Sequence, residues 1–177
     1  GGAGNDRLEG QAQDDMLTGG FGDDSLNGGV GRDRVTESAN ADFTLTDISL
    51  SDEGTIGGTG TGTDELLDVE TASLTGGNSA NTIDASAFTL GGVTLISGSG
   101  HDTLRGGASS DWLDGGTGND SLEGGAGNDW LIGQAGHDEL QGGDDNDTLT
   151  GGLDNDILAG GDGTDRLVET GNVHMTL

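Results

Sequence analysis

The sequence predicts an all-β solenoid. Three observations carry that expectation: a nine-residue motif recurring twelve times, one apolar position fixed within it, and too little apolar content for an ordinary globular core. Leu, Ile, Val and Phe total 35 of 177 residues, and the formal net charge is −28. That pairing usually leaves a chain disordered, because too little apolar surface is buried to offset the entropy of ordering it. A folded chain of this composition needs a stabiliser besides apolar burial.

The motif runs through residues 1–36 as GGAGNDRLE, GQAQDDMLT, GGFGDDSLN and GGVGRDRVT, and returns at SGSGHDTLR (97–105). It continues as GGASSDWLD, GGTGNDSLE, GGAGNDWLI, GQAGHDELQ, GGDDNDTLT, GGLDNDILA and GGDGTDRLV, ending at 168. The sixth position is Asp in all twelve copies: Asp6, Asp15, Asp24, Asp33, Asp102, Asp111, Asp120, Asp129, Asp138, Asp147, Asp156 and Asp165. The eighth is Leu in every copy except Val35, and the first is Gly in eleven. A fixed period of this kind is the signature of a stacked repeat architecture.

Each copy divides into a six-residue turn and a three-residue strand. Glycines admit backbone angles closed to other residues. Strand alternation points the eighth residue inward and exposes the seventh and ninth. Two copies make one coil, and coils stack at roughly 4.8 Å, the strand-pairing spacing. Stacking therefore brings together aspartates that lie two copies apart, Asp102 over Asp120 and Asp111 over Asp129. Bare carboxylates so placed repel by several kcal/mol per pair. A hard divalent cation between them reverses the sign. Calcium accepts six to eight oxygens in flexible geometry, whereas magnesium demands a tight octahedron and zinc prefers His or Cys. The chain has no Cys, so neither disulfides nor thiolate sites are available.

These residues resemble the RTX (hemolysin-type) calcium-binding repeat, G-G-x-G-x-D-x-U-x, over 1–36 and 97–168. The resemblance implies a right-handed parallel β-roll with calcium in rows between turns two repeats apart. Its ligands would be the sixth-position aspartates and loop carbonyls. Carried over by position, those carbonyls belong to Gly2, Gly4, Gly20, Gly22, Gly107, Gly116, Gly118, Gly125, Gly127, Gly136, Gly143 and Gly152. The first block then offers two sites, Asp6 with Asp24 and Asp15 with Asp33. The second offers six, from Asp102 with Asp120 through Asp147 with Asp165. Eight Ca²⁺ ions would bring the charge from −28 to about −12, so folding is expected to follow metal binding. Gln11 and Gln134 replace the second Gly; Gln13, Ser109, Asp145 and Asp154 replace the fourth. Asp145 and Asp154 either add ligands or stand in solvent. Gln13 makes the Asp15–Asp33 site the weakest expectation.

Residues 37–96 leave the register and are expected to form a metal-free β-solenoid segment between the calcium blocks 1–36 and 97–168. Alternation marks strands at 41–50, 68–75 and 88–97, interrupted by a Gly/Thr loop at 54–63. The expected core is Phe43, Leu45, Ile48, Leu74, Ile83, Phe88 and Leu95. A small separate β domain is the alternative. A longer period also exists: DRVTESANADFTL (33–45) returns as DRLVETGNVHMTL (165–177), an offset of 132 that carries 1–36 onto 133–168. Residues 169–177 then open a second metal-free segment, as in a tandem array. The chain opens mid-repeat without Met, as an excerpt of a longer protein does.

Several functions are excluded or disfavoured. With 33 acidic residues against five Arg and no Lys, the chain repels nucleic-acid phosphates and acidic membrane surfaces. No apolar run is long enough to cross a membrane, so no membrane insertion is expected. No H-E-x-x-H, G-x-S-x-G or Walker A motif occurs, and twelve equivalent carboxylates suit a repeated structural role better than one glycosidase pair, so no enzyme is expected. His101 and His137 occupy the exposed fifth turn position, and His174 a metal-free strand. The fifth-position Asn row lacks the matching Thr row that ice binding needs. Trp112 and Trp130 share the seventh position two copies apart, and either cover sheet surface or bind copies of the chain or cell-surface glycans. The expected role is a structural calcium-binding segment of a large secreted or cell-surface bacterial protein, such as an adhesin, surface layer or filament. The alternative is the non-catalytic folding and secretion domain of a toxin, protease or lipase.

Overall fold

The computed structural model describes residues 1–39, 41–47, 49–53, 61–169 and 174–176, with backbone alone at 49–53, 61 and 174–176. Every regular element among them is a strand. The strands form an eight-stranded sheet, an eleven-stranded sheet and a two-stranded pair of Gly2–Ala3 with Gly20–Phe21.

The nine-residue period sets the register. In one sheet Thr103 pairs with Ser121, Ser121 with Glu139 and Glu139 with Ile157; in the other Trp112 pairs with Trp130, Trp130 with Thr148 and Thr148 with Arg166. In this block successive strands of each sheet are thus parallel and two copies apart in sequence. The eighth position points between the sheets. Leu104, Leu122, Leu140 and Leu158 line one inner face, and Leu113, Leu131 and Leu149 the other, all buried. Each contributes roughly 1.5–3 kcal/mol of apolar burial, and one such side chain per strand makes a thin core. Leu8 and Leu167 are only partly buried.

Arg7–Glu9, Ser25–Asn27, Thr103–Arg105, Trp112–Asp114 and Arg166–Val168 have the expected three residues, but five strands of the second block are longer. Ser121–Ala126, Trp130–Ala135, Glu139–Asp144, Thr148–Leu153 and Ile157–Asp162 each run six residues, through the first three positions of the following copy. Gly125 pairs with Gly143 and Gly143 with Gly161 although all three have positive φ. An extended backbone of either sign of φ keeps its N–H and C=O on the ladder, so the true turn shrinks to the few residues around positions four to six. Gln11, Gln13, Gln134, Asp145 and Asp154 hold the same left-handed backbone as the glycines they replace, with φ between 76° and 97°. Neighbouring coils therefore impose the turn even where the side chain resists it.

Both sheets run without a break through 37–96. Arg34–Ser38 pairs with Thr71–Thr75, which pairs with Val93–Ile96, which pairs with Trp112–Asp114, all parallel. The eleven-stranded sheet makes an excursion. Ser25–Asn27 pairs in parallel with Thr61–Leu67; Ser49–Glu53 then lies antiparallel between Thr61–Leu67 and Asp42–Thr46; and Asp42–Thr46 pairs in parallel with Thr82–Ala87. The stretch 41–50 is thus divided between two strands of a hairpin. The Thr61–Leu67 strand begins inside the expected Gly/Thr loop, and Thr82–Ala87 is a strand that the alternation does not mark. Only the second half of 88–97 is strand. Phe43, Leu45, Leu74, Ile83, Phe88 and Leu95 are buried in the same cluster as the repeat leucines; Ile48 and residues 54–60 lie outside the described residues.

Candidate metal centre

Two ladders of acidic side chains climb the turns. The N–H of Asp102 donates to Oδ1 of Asp120 at 2.8 Å, Asp120 to Asp138 at 2.9 Å and Asp138 to Asp156 at 2.9 Å. On the opposite side Asp111 donates to Asp129 and Asp129 to Asp147 at 2.8 Å, and Asp147 to Asp165 at 3.0 Å. In the first block Asp6 donates to Asp24 at 2.7 Å and Asp15 to Asp33 at 2.8 Å. All eight pairs expected from the two-copy spacing meet, the one after Gln13 included.

The second carboxylate oxygen faces inward. Oδ2 of Asp15, Asp24, Asp33, Asp102, Asp120, Asp129, Asp138, Asp147 and Asp156 is buried without a hydrogen-bond partner. In Asp111 that atom accepts the Gly107 N–H at 2.6 Å. In most copies the Oδ2 lies against the first-position glycine that opens its own turn, five residues earlier in the chain. Beside Gly106, Gly124, Gly133 and Gly142, the carbonyl of the glycine two copies further on converges on the same spot. Any side chain there would fill the space between carboxylate and carbonyl. Buried acceptors facing one another without donors are unstable unless a cation joins them.

Electrostatics agree. Burial pushes the carboxyls of Asp111 and Asp138 up to about 6 and those of Asp120 and Asp129 up to about 7. Backbone N–H groups oppose the rise, while neighbouring rungs add to it: Asp102 and Asp138 flank Asp120, and Asp111 and Asp147 flank Asp129. Burial also raises Asp147 and Asp156. Without a counter-ion, these sites disfavour the charge they carry in water.

Among the described residues no three His, Cys, Asp or Glu side chains gather as a ready-made metal cage. An ion here would draw on two carboxylates and on carbonyls. Of the carbonyls expected from the resemblance, those of Gly107 and Gly116 accept ladder bonds from Ala126 and Ala135. Each keeps a second lone pair. Carbonyls of first-position glycines, among them Gly19, Gly28, Gly124 and Gly142, share the space beside a glycine of the neighbouring coil with an Oδ2 atom. Asp145 and Asp154 are exposed.

The structure adds ladder members that the strict period does not reveal. Asp24 donates its N–H to Oδ1 of Asp64 at 3.0 Å, Asp33 donates to Glu70 at 2.8 Å, and Asn81 donates to Oδ1 of Asp102 at 2.7 Å. Asn81 occupies a sixth position in a neutral form: its Oδ1 accepts the Gly77 N–H at 3.0 Å and lies beside Gly76. Sequence signals mark two of the three, Asp64 and Asn81. TGTGTDELL (59–67) and GGNSANTID (76–84) follow the motif with a few substitutions.

Fifth-position side chains build a second, outer ladder. The N–H of Asn119 donates to His101 Nδ1 at 2.8 Å and that of Asn155 to His137 Nδ1 at 3.1 Å; Asn128 and Asn146 accept in the same way from Asn146 and Thr164. Both histidines thus serve turn stacking. Trp112 and Trp130 stack with ring centroids 4.8 Å apart, tilted by 37°.

A family model described as the RTX calcium-binding nonapeptide repeat (4 copies) matches residues 1–35, 96–131 and 132–167. The chain belongs to the RTX calcium-binding repeat family. No curated protein matches it. Among solved structures it is similar to the extracellular lipase LipA from Serratia marcescens, at 18% identity and a TM-score of 0.23 over 89% of this chain and 31% of that one. The chain therefore spans about a third of that protein's length. The RTX matches take in all twelve motif aspartates and leave Asp64, Glu70 and Asn81 outside. The buried donor set, oxygen throughout, suits the hard ion for which the family is described.

Proposed function

We propose that this RTX segment is a non-catalytic structural module of a large secreted or cell-surface bacterial protein, folded by extracellular calcium. One observation carries the reading: the ladder of buried Oδ2 atoms without hydrogen-bond partners, recurring from coil to coil. Asp6, Asp15, Asp24, Asp33, Asp102, Asp111, Asp120, Asp129, Asp138, Asp147, Asp156 and Asp165 would hold about eight ions together with turn carbonyls. Bound calcium supplies the positive charge that lets these carboxylates stay ionised while buried. The aspartate Oδ1 atoms meanwhile hold the coils in register by accepting N–H groups of the neighbouring coil.

An acidic, Cys-free, weakly apolar chain stays unfolded where calcium is scarce, which suits export before folding. Stiffness along the solenoid axis then suits an adhesin, surface layer or filament. The long period in the sequence supports an array. Glu37 follows the first block and its Oε1 accepts the Gly19 N–H at 2.7 Å; Glu169 stands one long period later, with Oε2 beside Gly151, itself one long period after Gly19. Copies of the chain or surface glycans would find Trp112 and Trp130 on the wall of a cleft of about 950 Å³, with Arg32, Arg34, Asp14 and Asn128.

Far-ultraviolet circular dichroism of the chain with and without calcium tests the proposal. Coil is expected without the ion and β-structure with it, with a midpoint on the order of 10⁻⁴–10⁻³ M. A fully formed β spectrum in excess chelator would refute it.

A further inference from the structure

The fourth to ninth positions of a motif copy survive in Gly62–Leu67, and the structure stacks them on the first block as though no insertion intervened. Thr63 donates its N–H to Oδ1 of Asp23 at 2.9 Å, Glu65 to the Asp24 carbonyl at 2.8 Å, and Leu66 pairs with Leu26. Forty residues separate Asp24 from Asp64, yet their relation is the one that two copies of the motif give elsewhere.

The environment of Gly19 differs from that of the other first-position glycines of this block. At Gly1 the space beside the glycine is shared by Asp6 Oδ2 and the carbonyl of Gly19. At Gly19 it is shared by two carboxylates: a β-carbon there would lie 2.5 Å from Asp24 Oδ2 and 2.8 Å from Asp64 Oδ2. Asp24 is 3% exposed and its Oδ2, aimed into this space, has no hydrogen-bond partner; Asp64 is 5% exposed. Glu37 adds a third negative charge nearby, on the N–H groups of Gly19 and Gly20. Two carboxylate oxygens of buried residues facing one space call for a cation.

We propose that Asp24 and Asp64 bind a calcium ion of their own, at a site outside the RTX repeat matches, which fastens the inserted strands to the first block. This inference rests on the calcium-binding reading above. Where a glycine carbonyl serves at Gly1, a full carboxylate serves here, and calcium affinity rises with the charge of the ligand set. The site is therefore the tightest of the first block, and it turns the segment 37–96 from a metal-free spacer into a part of the calcium ladder.

Calcium bound per chain, measured by equilibrium dialysis of the whole chain, tests this with three variants. Asp64→Asn keeps the Oδ1 acceptor and the volume but removes the charge; one fewer ion and loss of the tightest binding step, by about tenfold or more in Kd, are expected. Glu65→Gln removes an adjacent exposed charge and should leave the count unchanged. Asp129→Asn, in the second block, should lose an ion by the general reading alone. If Asp129→Asn loses an ion and Asp64→Asn does not, the Asp24–Asp64 site is wrong and the general reading stands. If neither changes the count, the calcium reading itself fails. Should Asp64→Asn not fold at saturating calcium, hydrogen exchange of the native chain decides. Residues 61–67 must become protected at or below the calcium concentration that protects 19–27, and protection only at higher calcium overturns the proposal.

Discussion

The N–H of Asp129 donates to Oδ1 of Asp147 at 2.8 Å, while Oδ2 of Asp147 is buried without a partner. One carboxylate therefore does two opposed things. One oxygen locks adjacent coils together, and the other creates a charge problem that the protein alone does not solve.

Separating the two oxygens gives the first prediction. Asp147→Asn retains the acceptor for Asp129 and removes the charge, so its effect should change sign with calcium. In chelator the variant should be less unfolded than the parent. In calcium its folding midpoint should rise by about tenfold, ~1.4 kcal/mol. Circular dichroism titrations of both proteins check this, and a variant weaker under both conditions would contradict it.

Acid should partly replace the ion. Asp120 and Asp129 are raised from 3.8 to about 7 in the calcium-free fold, chiefly by burial. A carboxyl with a raised folded value binds its proton more tightly folded than unfolded. Calcium-free stability therefore falls as pH climbs from about 4 to about 7, the unfolded chain ionising first. Acidifying the chelated chain from pH 7 to pH 4 should recover β-structure. Over the same range the apparent calcium affinity should drop, because protons compete for the same oxygens. A chelated spectrum that stays coil throughout would count against this assignment.

At Gly118 the backbone has φ 132° and a β-carbon would run into the Gly100 carbonyl of the adjacent coil. Gly118→Ala should destabilise the calcium-bound fold by about 2 kcal/mol or more, combining left-handed strain with the clash. Gly2→Ala, with nothing within 4 Å of its β-carbon and no positive φ, should stay within about 0.5 kcal/mol. Thermal unfolding in calcium compares the pair.

His101 acts as a hydrogen-bond acceptor for the Asn119 N–H. Asn takes this position in five copies, and Asn128 and Asn146 make the equivalent contact. His101→Asn should be neutral, whereas His101→Ala should lose about 0.5–1.5 kcal/mol. Equal losses in the two variants would show that the acceptor is not what matters.

Much of this was legible because the period is strict. Twelve copies with Asp sixth and an apolar residue eighth fix a two-copy register. From it follow the buried row Leu104, Leu122, Leu140 and Leu158, the stacked Trp112 and Trp130, and all eight aspartate pairs. The extension of five strands to six residues was not legible, because glycine pairs read as turn. Gly125 and Gly143 show that left-handed backbone can remain in the ladder when similar coils lie on both sides.

Local sequence by itself thus determined the coil, its core row and the identity of the acidic rungs, since all of these depend on neighbours a fixed distance away along the chain. Tertiary structure alone decided which rungs Asp64, Glu70 and Asn81 stack on. Their partners lie 40, 37 and 21 residues away. The third has only three residues more than two copies of the motif. The first two distances are set by how the hairpin of Asp42–Thr46 and Ser49–Glu53 inserts two extra strands into one sheet and none into the other. No repeat length encodes that choice; it comes from which strand edges the insertion can pair with while Phe43, Leu45 and Ile83 stay buried.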